Sequence, residues 1–449
     1  MGSIRADGIQ TGRLAPADYE ANFSDIHAPL SKHEAFVESE RCYFCHDAPC
    51  QTACPTSIDI PLFIREISTG NDIGAAKTIL NANIMGGMCA RVCPTETLCE
   101  EACVREHAEG KPVKIGLLQR HATDALMASG KQPFKRAPST GKKIAVIGGG
   151  PAGLACAHKL SELGNAVTIF ESKDKLGGLN EYGIAAYKST DDFAQREVDF
   201  ILSLGGIEVK TKHALGCNID MASLRKEYDA VFVGVGLSGV NKLGLEGETK
   251  LEGVVDAVKY IAELRQAKDL STLPVGRNVV VIGGGMTAID AAVQSKKLGA
   301  ESVTLVYRRD QSDMKASTYE QEVAQTNGVT LKTFAQPAAL IGENGKVTAV
   351  RFDETSVTAG RLASTGGHYI LPADMVLTAI GQLFVPDGLG GADALALEAG
   401  RIKVDAERRT SVKGIWAGGD CIAGGQDLTV AAVEDGKQAA LSIHHALYR

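Results

Sequence analysis

The run Lys143-Ile144-Ala145-Val146-Ile147-Gly148-Gly149-Gly150-Pro151-Ala152-Gly153 starts as a short apolar stretch, breaks into glycines and leads into a helical pattern, LACAHKLSELG. An apolar run of this length bounded by glycine reads as a buried strand. The turn fits G-x-G-x-x-G, in which each glycine has its own task. Gly148 lets the chain turn, Gly150 lets backbone approach a pyrophosphate, and Gly153 lets helix and sheet pack closely, with Ala152 inside the turn. The pyrophosphate charge then sits at a helix N-terminus. A second strand, Ala166–Phe170, ends in Glu171, placed to accept from a ribose hydroxyl. Strand, glycine turn, helix, strand and acid in this order predict a parallel βαβ unit around a dinucleotide. Downstream, Leu176-Gly177-Gly178-Leu179 offers a second glycine approach, which makes Gly178 and Leu179 further candidates.

The pattern returns. Asn278–Ile282 is a strand, Gly283-Gly284-Gly285-Met286-Thr287-Ala288 opens the helix IDAAVQSKKLG, and Ala in the last place is an accepted variant. The next strand, Ser302–Tyr307, ends in Arg308-Arg309 in place of an acid, with Lys315 close behind. Arginine there can fork a 2′-phosphate, so the charge leans toward NADP(H). Two such units in tandem suit one flavin and one nicotinamide. After the second unit, Asp374–Gln382 and Gly414–Asp420 read as two more strands with glycine turns, and Leu428–Ala432 starts a last helix. This tail resembles that of flavoprotein disulfide-reductase-like folds. By that resemblance, Gly419 and Asp420 would meet the ribityl or phosphate part of the flavin, and the helix start at Thr429 its pyrimidine end. The expected architecture is α/β. A helical N-terminal domain (1–140) precedes two Rossmann-like domains, the second inserted in the first: flavin 141–240, nicotinamide 241–373, flavin again 374–449.

Eight of the eleven cysteines lie between Cys42 and Cys103. They run Cys42-x2-Cys45-x4-Cys50-x3-Cys54-Pro55, then Cys89-x3-Cys93-Pro94-x4-Cys99-x3-Cys103. Thiolates this crowded usually share a cation. A ladder ending in Cys-Pro is a ferredoxin pattern, in which three cysteines hold one cluster and the fourth crosses to another. Structural zinc and a disulfide framework are the competing chemistries. Cys89 is open to two readings, a ligand one helical turn before Cys93 or a small buried hydrophobe. Between the groups, Ile58 to Leu80 shows helical spacing broken at Thr69-Gly70, and Ile115 to Met127 gives a second helix.

Taken together, CHDAPCQTACPTSIDI, CARVCPTETLCEEAC and IGLLQR resemble the N-terminal iron–sulfur domain of dihydropyrimidine dehydrogenase, and with it the electron-input subunit of the bacterial two-subunit enzyme. They are also similar to the small subunit of glutamate synthase. The resemblance spans residues 40–449. It implies FAD, NAD(P)H and two [4Fe-4S] clusters, one on Cys42, Cys45, Cys50 and Gln119 and the other on Cys54, Cys93, Cys99 and Cys103, with Cys89 free. It also implies a hetero-oligomer with an FMN-containing partner that reduces uracil or thymine to the 5,6-dihydro form. An FMN barrel needs about 250 residues, and none remain here to build one. Gln119 and Leu237 (in VGVGLS) lean toward the pyrimidine group, with the glutamate synthase small subunit as the alternative. The bacterial dehydrogenase is called NAD-dependent, which pulls against the basic residues and leaves NAD versus NADP open.

The chain has 449 residues, 44% hydrophobic and 22% charged, with a net charge of −7. That is enough for several domains and gives no sign of a nucleic-acid surface. No apolar run reaches the ~18 residues a membrane span takes. The start, MGSIRADGIQ, is polar and lacks the apolar core of a signal peptide. With thiols kept for metal, the expected setting is reducing and cytoplasmic. No catalytic acid–base residue stands out, and Cys156 has no nearby partner cysteine for disulfide-reductase chemistry. A non-catalytic assembly subunit holding zinc is the alternative of another class.

Overall fold

The computed structural model describes residues 5–358, 360–389 and 394–448, so the first four residues of the polar start lie outside the described residues. The chain forms two compact units. One comprises residues 27–181, 191–238 and 384–449; the other comprises 1–26, 182–190 and 239–383.

The first unit opens with helices. Ser31 caps α1 (Lys32–Ser39) through a reciprocal pair, its hydroxyl accepting from the Glu34 amide while the Glu34 carboxylate accepts from the Ser31 amide. A single-turn helix, α2 (Pro49–Ala53), lies among the first thiols. Asp59 caps α3 (Ile60–Ser68), and Asn71 caps α4 (Asp72–Ala82) after the break at Thr69-Gly70. Then come α5 (Gly86–Val92) and α6 (Ile115–Ser129). Phe63, Ile64, Ile79, Leu118 and Leu126 are buried at helical spacing, each contributing about 1.5–3 kcal/mol.

The same core continues into a parallel sheet. Strands β1 (Lys143–Ile147) and β2 (Ala166–Phe170) flank α7 (Pro151–Glu162). After α8 (Phe193–Leu202) come β3 (Ile207–Lys210) and β4 (Ala230–Val233). Ile144 and Val146 face the core shared with the helices, while Ala145 and Ile147 face a second core on the opposite side. A parallel sheet covered on both faces needs this unbroken apolar run.

The second unit repeats the device. Its strands are β5 (Val254–Asp256), β6 (Asn278–Ile282), β7 (Ser302–Val306) and β8 (Thr330–Lys332), with α9 (Met286–Lys297) after the glycine turn. An antiparallel sheet, β9 (Ala335–Glu343), β10 (Lys346–Thr358) and β11 (Arg361–Pro372), follows. Strand β12 (Met375–Thr378) then pairs in parallel with β6 and β5, giving the order β8-β7-β6-β12-β5. The boundary expected at residue 374 is therefore corrected to after Leu383. Met375-Val376-Leu377 is an apolar run that would suit either sheet, and only long-range pairing decides between them. Gln382–Leu383 pairs antiparallel with Gly239–Val240, so the segments entering and leaving this unit lie side by side.

Two other segments join the second unit against expectation. Ile9–Gln10 pairs with Val275–Gly276, and the Arg13 guanidinium donates to the Val275 carbonyl at 3.1 Å. Residues up to 26 therefore do not belong to the helical domain expected over 1–140. The segment 182–190 is held by Lys188, whose Nζ lies 2.8 Å from Asp290 and 2.7 Å from Glu320. Beyond Leu383 the chain returns to the first unit, where β13 (Ile415–Ala417) completes the order β13-β4-β1-β2-β3 and α10 (Thr429–Tyr448) closes the chain.

Candidate redox-cofactor sites

In the first unit, two glycine turns abut. Gly178 has φ +55°, and a Cβ there would lie 2.8 Å from the Gly150 Cα. On Gly153 a Cβ would lie 1.9 Å from the Gly148 carbonyl, so α7 can start this close to β1 only without a side chain. Glu171, buried at the end of β2, accepts from the Gly149 amide at 2.8 Å and from the Lys173 amide at 2.8 Å. Its carboxylate thus faces the turn a ribose would lie across. Ala152 sits beside Gly419, whose added Cβ would lie 3.1 Å from the alanine methyl. The Gly419 amide donates to Asp435 at 2.9 Å, which fixes the turn that carries Asp420. Burial raises the Asp420 carboxyl to about 7, with Asp427 adding to it and Arg401 opposing. Thr429 donates to the Asn180 side chain at 2.7 Å, next to Leu179. The fold thus gathers Gly148, Gly150, Ala152, Gly153, Glu171, Gly178, Leu179, Gly419, Asp420 and Thr429 around one cradle. Close backbone, helix starts and a buried carboxylate suit a dinucleotide.

In the second unit, Gly283 packs its turn against the Ala379 carbonyl, and a Cβ on Gly285 would meet nothing within 4 Å, leaving open space at the start of α9. The Tyr307 ring covers Gly284, its hydroxyl donates to the Asp313 carbonyl, and the Ala316 amide donates to the Gly284 carbonyl. The loop therefore folds back over the turn. Arg308, Arg309 and Lys315 on it are exposed, and among the described residues none of the three has a carboxylate partner within ion-pair distance.

The thiols separate into two neighbourhoods. Burial raises the Cys42 thiol, with Cys45 and Cys103 adding to it, and pushes Cys50 up to about 12, with Cys103 and Cys42 adding. Cys93 is raised by its hydrogen bond to Cys89 and by burial, then by Cys99 and Cys54. Cys99 is raised by burial, then by Glu100, Cys54 and Cys50. Cys103 thus neighbours Cys42 and Cys50, whereas the resemblance implies it with Cys54, Cys93 and Cys99; Cys50 also neighbours Cys99. The side-chain nitrogen of Gln119 donates to the Gly86 carbonyl at 2.7 Å, on the helix that leads to Cys93, leaving its oxygen to act as a donor atom. Gln119 is therefore held against the start of α5, the helix that leads to Cys93. Local helix logic cannot show this, because the bond crosses between α5 and α6.

The loops among these thiols are strained. Phe44, Ala48 and Ser57 have φ of +51°, +35° and +52°, each costing on the order of 1–3 kcal/mol. Such backbone persists where surrounding structure over-determines it, and here it bends the ladder into a compact site. All eleven cysteines are free thiols. Among the described residues no three Cys, His, Asp or Glu side chains close to the span of a single ion. Buried neutral thiols need a cation to become thiolates, and binding a cluster would displace their protons. Two neighbourhoods of thiols with cubane-type sequence spacing fit that chemistry.

Comparison with known proteins agrees with this geometry. Residues 142–436 match the model of pyridine nucleotide-disulphide oxidoreductases, and residues 19–131 match that of dihydropyrimidine dehydrogenase domain II, 4Fe-4S cluster. The chain belongs to the pyridine nucleotide-disulphide oxidoreductase family and carries a 4Fe-4S domain ahead of it. It is an FAD- and NAD(P)H-dependent iron–sulfur electron-transfer oxidoreductase. It is 35% identical to the NAD-dependent dihydropyrimidine dehydrogenase subunit PreT of Salmonella typhimurium, over 92% of this chain and 94% of that one. It is 34% identical to the glutamate synthase [NADPH] small chain of Escherichia coli K12, over 93% and 92%. Mycobacterium tuberculosis FprA in complex with NADPH shares the fold, with a TM-score of 0.56 at 18% identity over 69% of this chain and 85% of that one.

Sequence reasoning missed the residues that hold these sites in place. Gln195 and Glu197 on α8, and Lys188 with Asp290 and Glu320, carry no motif. Their only sequence signal is a charge or amide inside an otherwise apolar helical pattern.

Proposed function

We propose that this chain is the electron-input half of a two-subunit dihydropyrimidine dehydrogenase. A hydride from NAD(P)H enters at FAD, single electrons leave through two [4Fe-4S] clusters, and an FMN-containing partner uses them to reduce uracil or thymine. The cofactors supply the redox chemistry; the protein binds, spaces and shields them. Cys42, Cys45, Cys50 and Cys103 would hold one cluster. Cys54, Cys93 and Cys99, with the Gln119 oxygen, would hold the other. The glycine cradle and Glu171, with Asp420 and Thr429, would hold FAD, while Gly283, Gly285, Arg308, Arg309 and Lys315 would hold the nicotinamide nucleotide. Free thiols throughout go with a reducing, cytoplasmic setting.

The observation that carries this reading is one continuous core running from the thiol-bearing helices into the flavin cradle's sheet. A thiol domain sharing its core with a flavin site suits short-range electron transfer. The small chain of glutamate synthase remains the second reading, favoured by its near-equal identity. The test is to copurify the partner and follow NADH and NADPH oxidation, first with uracil, then with 2-oxoglutarate plus glutamine. Oxidation driven only by the second mixture would reject the pyrimidine assignment. Iron and acid-labile sulfide should reach about eight of each per chain, and colourless protein holding only zinc would favour the assembly-subunit alternative.

A further inference from the structure

Helix α8 carries two polar side chains that reach different cofactor sites. The Gln195 amide donates to the Leu176 carbonyl at 2.8 Å and to the Glu181 carboxylate at 2.9 Å, which fixes the Leu176–Leu179 loop of the flavin cradle. Two residues on, the fully buried Glu197 carboxylate accepts from the Gly87 amide at 2.8 Å and the Met88 amide at 3.1 Å, in the first turn of α5. Helix α5 leads straight to Cys93, whose own amide donates to the Cys89 carbonyl at 2.9 Å.

The contact is tight on every side. A Cβ on Gly87 would lie 2.8 Å from a Glu197 oxygen and 2.5 Å from the Phe193 ring. The Arg91 guanidinium stands 3.4 Å over that ring and donates to the Gly87 carbonyl and to Asp124. Met88, Phe193 and Ala194 form a small core of their own between the two helices. A carboxylate is costly to bury, and an apolar residue would have packed here as well. What the carboxylate adds is two directed hydrogen bonds to amides in the first turn of α5.

We propose that Glu197 is a positioning residue that holds the cluster-bearing helix at a fixed distance from the flavin cradle, so that electron transfer from flavin to the Cys93 cluster depends on it. This rests on reading the thiol groups as clusters. Burial pushes the carboxyl up to about 8, against the pull of the Met88 amide and Arg91, so a neutral glutamine is a close stand-in.

The test is anaerobic single-turnover reduction by NADH or NADPH in holoprotein of known iron, sulfide and flavin content. Flavin reduction and cluster bleaching are followed separately in wild type, Glu197→Ala and Glu197→Gln. Flavin reduction should be unchanged in all three. Cluster reduction should slow roughly tenfold or more in Glu197→Ala and stay within about threefold of wild type in Glu197→Gln, since small displacements cost large factors. If Glu197→Ala does not fold, Gly87→Ala presses on the same contact from α5 and should give the same selective slowing. Wild-type cluster reduction in a fully loaded alanine variant overturns the proposal, as does equal slowing of the flavin and cluster steps. Wild-type protein lacking iron or flavin would instead defeat the functional reading, and cofactor analysis before the kinetics tells the two failures apart.

Discussion

The Ala316 amide donates to the Gly284 carbonyl at 3.1 Å, and this bond folds the loop of Arg308, Arg309 and Lys315 back over the second glycine turn. The turn thereby has exposed cations on the loop beside it, and under the proposed function these would face a 2′-phosphate. Replacing Arg308 and Arg309 together by Ala should raise KM for NADPH roughly tenfold or more, since charge-assisted forks are the strong hydrogen bonds. KM for NADH should move less than about twofold. Steady-state kinetics with both nucleotides checks this, and an equal change for the two would show that the arginines do not read the 2′-phosphate.

Cys103 and Cys89 should respond differently to the same substitution. Cys103 neighbours Cys42 and Cys50, whereas Cys89 hydrogen-bonds Cys93 from within α5. Cys103→Ser should remove about half the iron and sulfide, one of two clusters. Cys89→Ser should keep nearly all of both. Full iron in Cys103→Ser would show that Cys103 is a ligand of neither cluster.

His158 gives the flavin unit a sensitivity to acid. It is buried on α7 with the Phe134 ring edge-on at 5.1 Å, and among the described residues its Nε2 has no partner. Burial, then Lys159, lowers its pKa to about 3. The unfolded chain therefore takes up a proton below about pH 6.5 that the folded chain refuses until about pH 3. Stability is unaffected by this group above pH 6.5 and falls as pH drops below it. At pH 5 the loss is about 2 kcal/mol. Denaturant unfolding at pH 8 and pH 5 should show that extra loss in wild type and not in His158→Leu.

Lys188 sits between the Asp290 and Glu320 carboxylates, all three nearly excluded from water. Burial pulls its pKa down, but the two carboxylates and their hydrogen bonds outweigh that, and the net shift is upward. Lys188→Met removes the cation and leaves two acids buried near each other, which should cost about 3–5 kcal/mol. Thermal unfolding of the holoprotein should show it. A loss under about 1 kcal/mol would mean the triad is no stronger than a surface pair.

Both glycine turns, the strand–helix–strand order around each, and the helices α3, α4 and α6 were legible because they are set within a few residues, by φ, sterics and apolar spacing, whereas α1 lies in a stretch without a clear period. The thiol ladder was legible for the same reason, since its spacing is local. How those thiols lie in space was not, because Cys103 meets Cys42 and Cys50, and Gln119 meets Gly86, only across long stretches of chain. The sheet membership of Met375–Thr378, the pairing of Ile9–Gln10 with Val275–Gly276, and the buried Lys188 triad were likewise invisible. Each depends on which distant partner removes an apolar run or a charge from water. An apolar β-run or a lone lysine carries no mark of that partner, so only the tertiary structure could choose it.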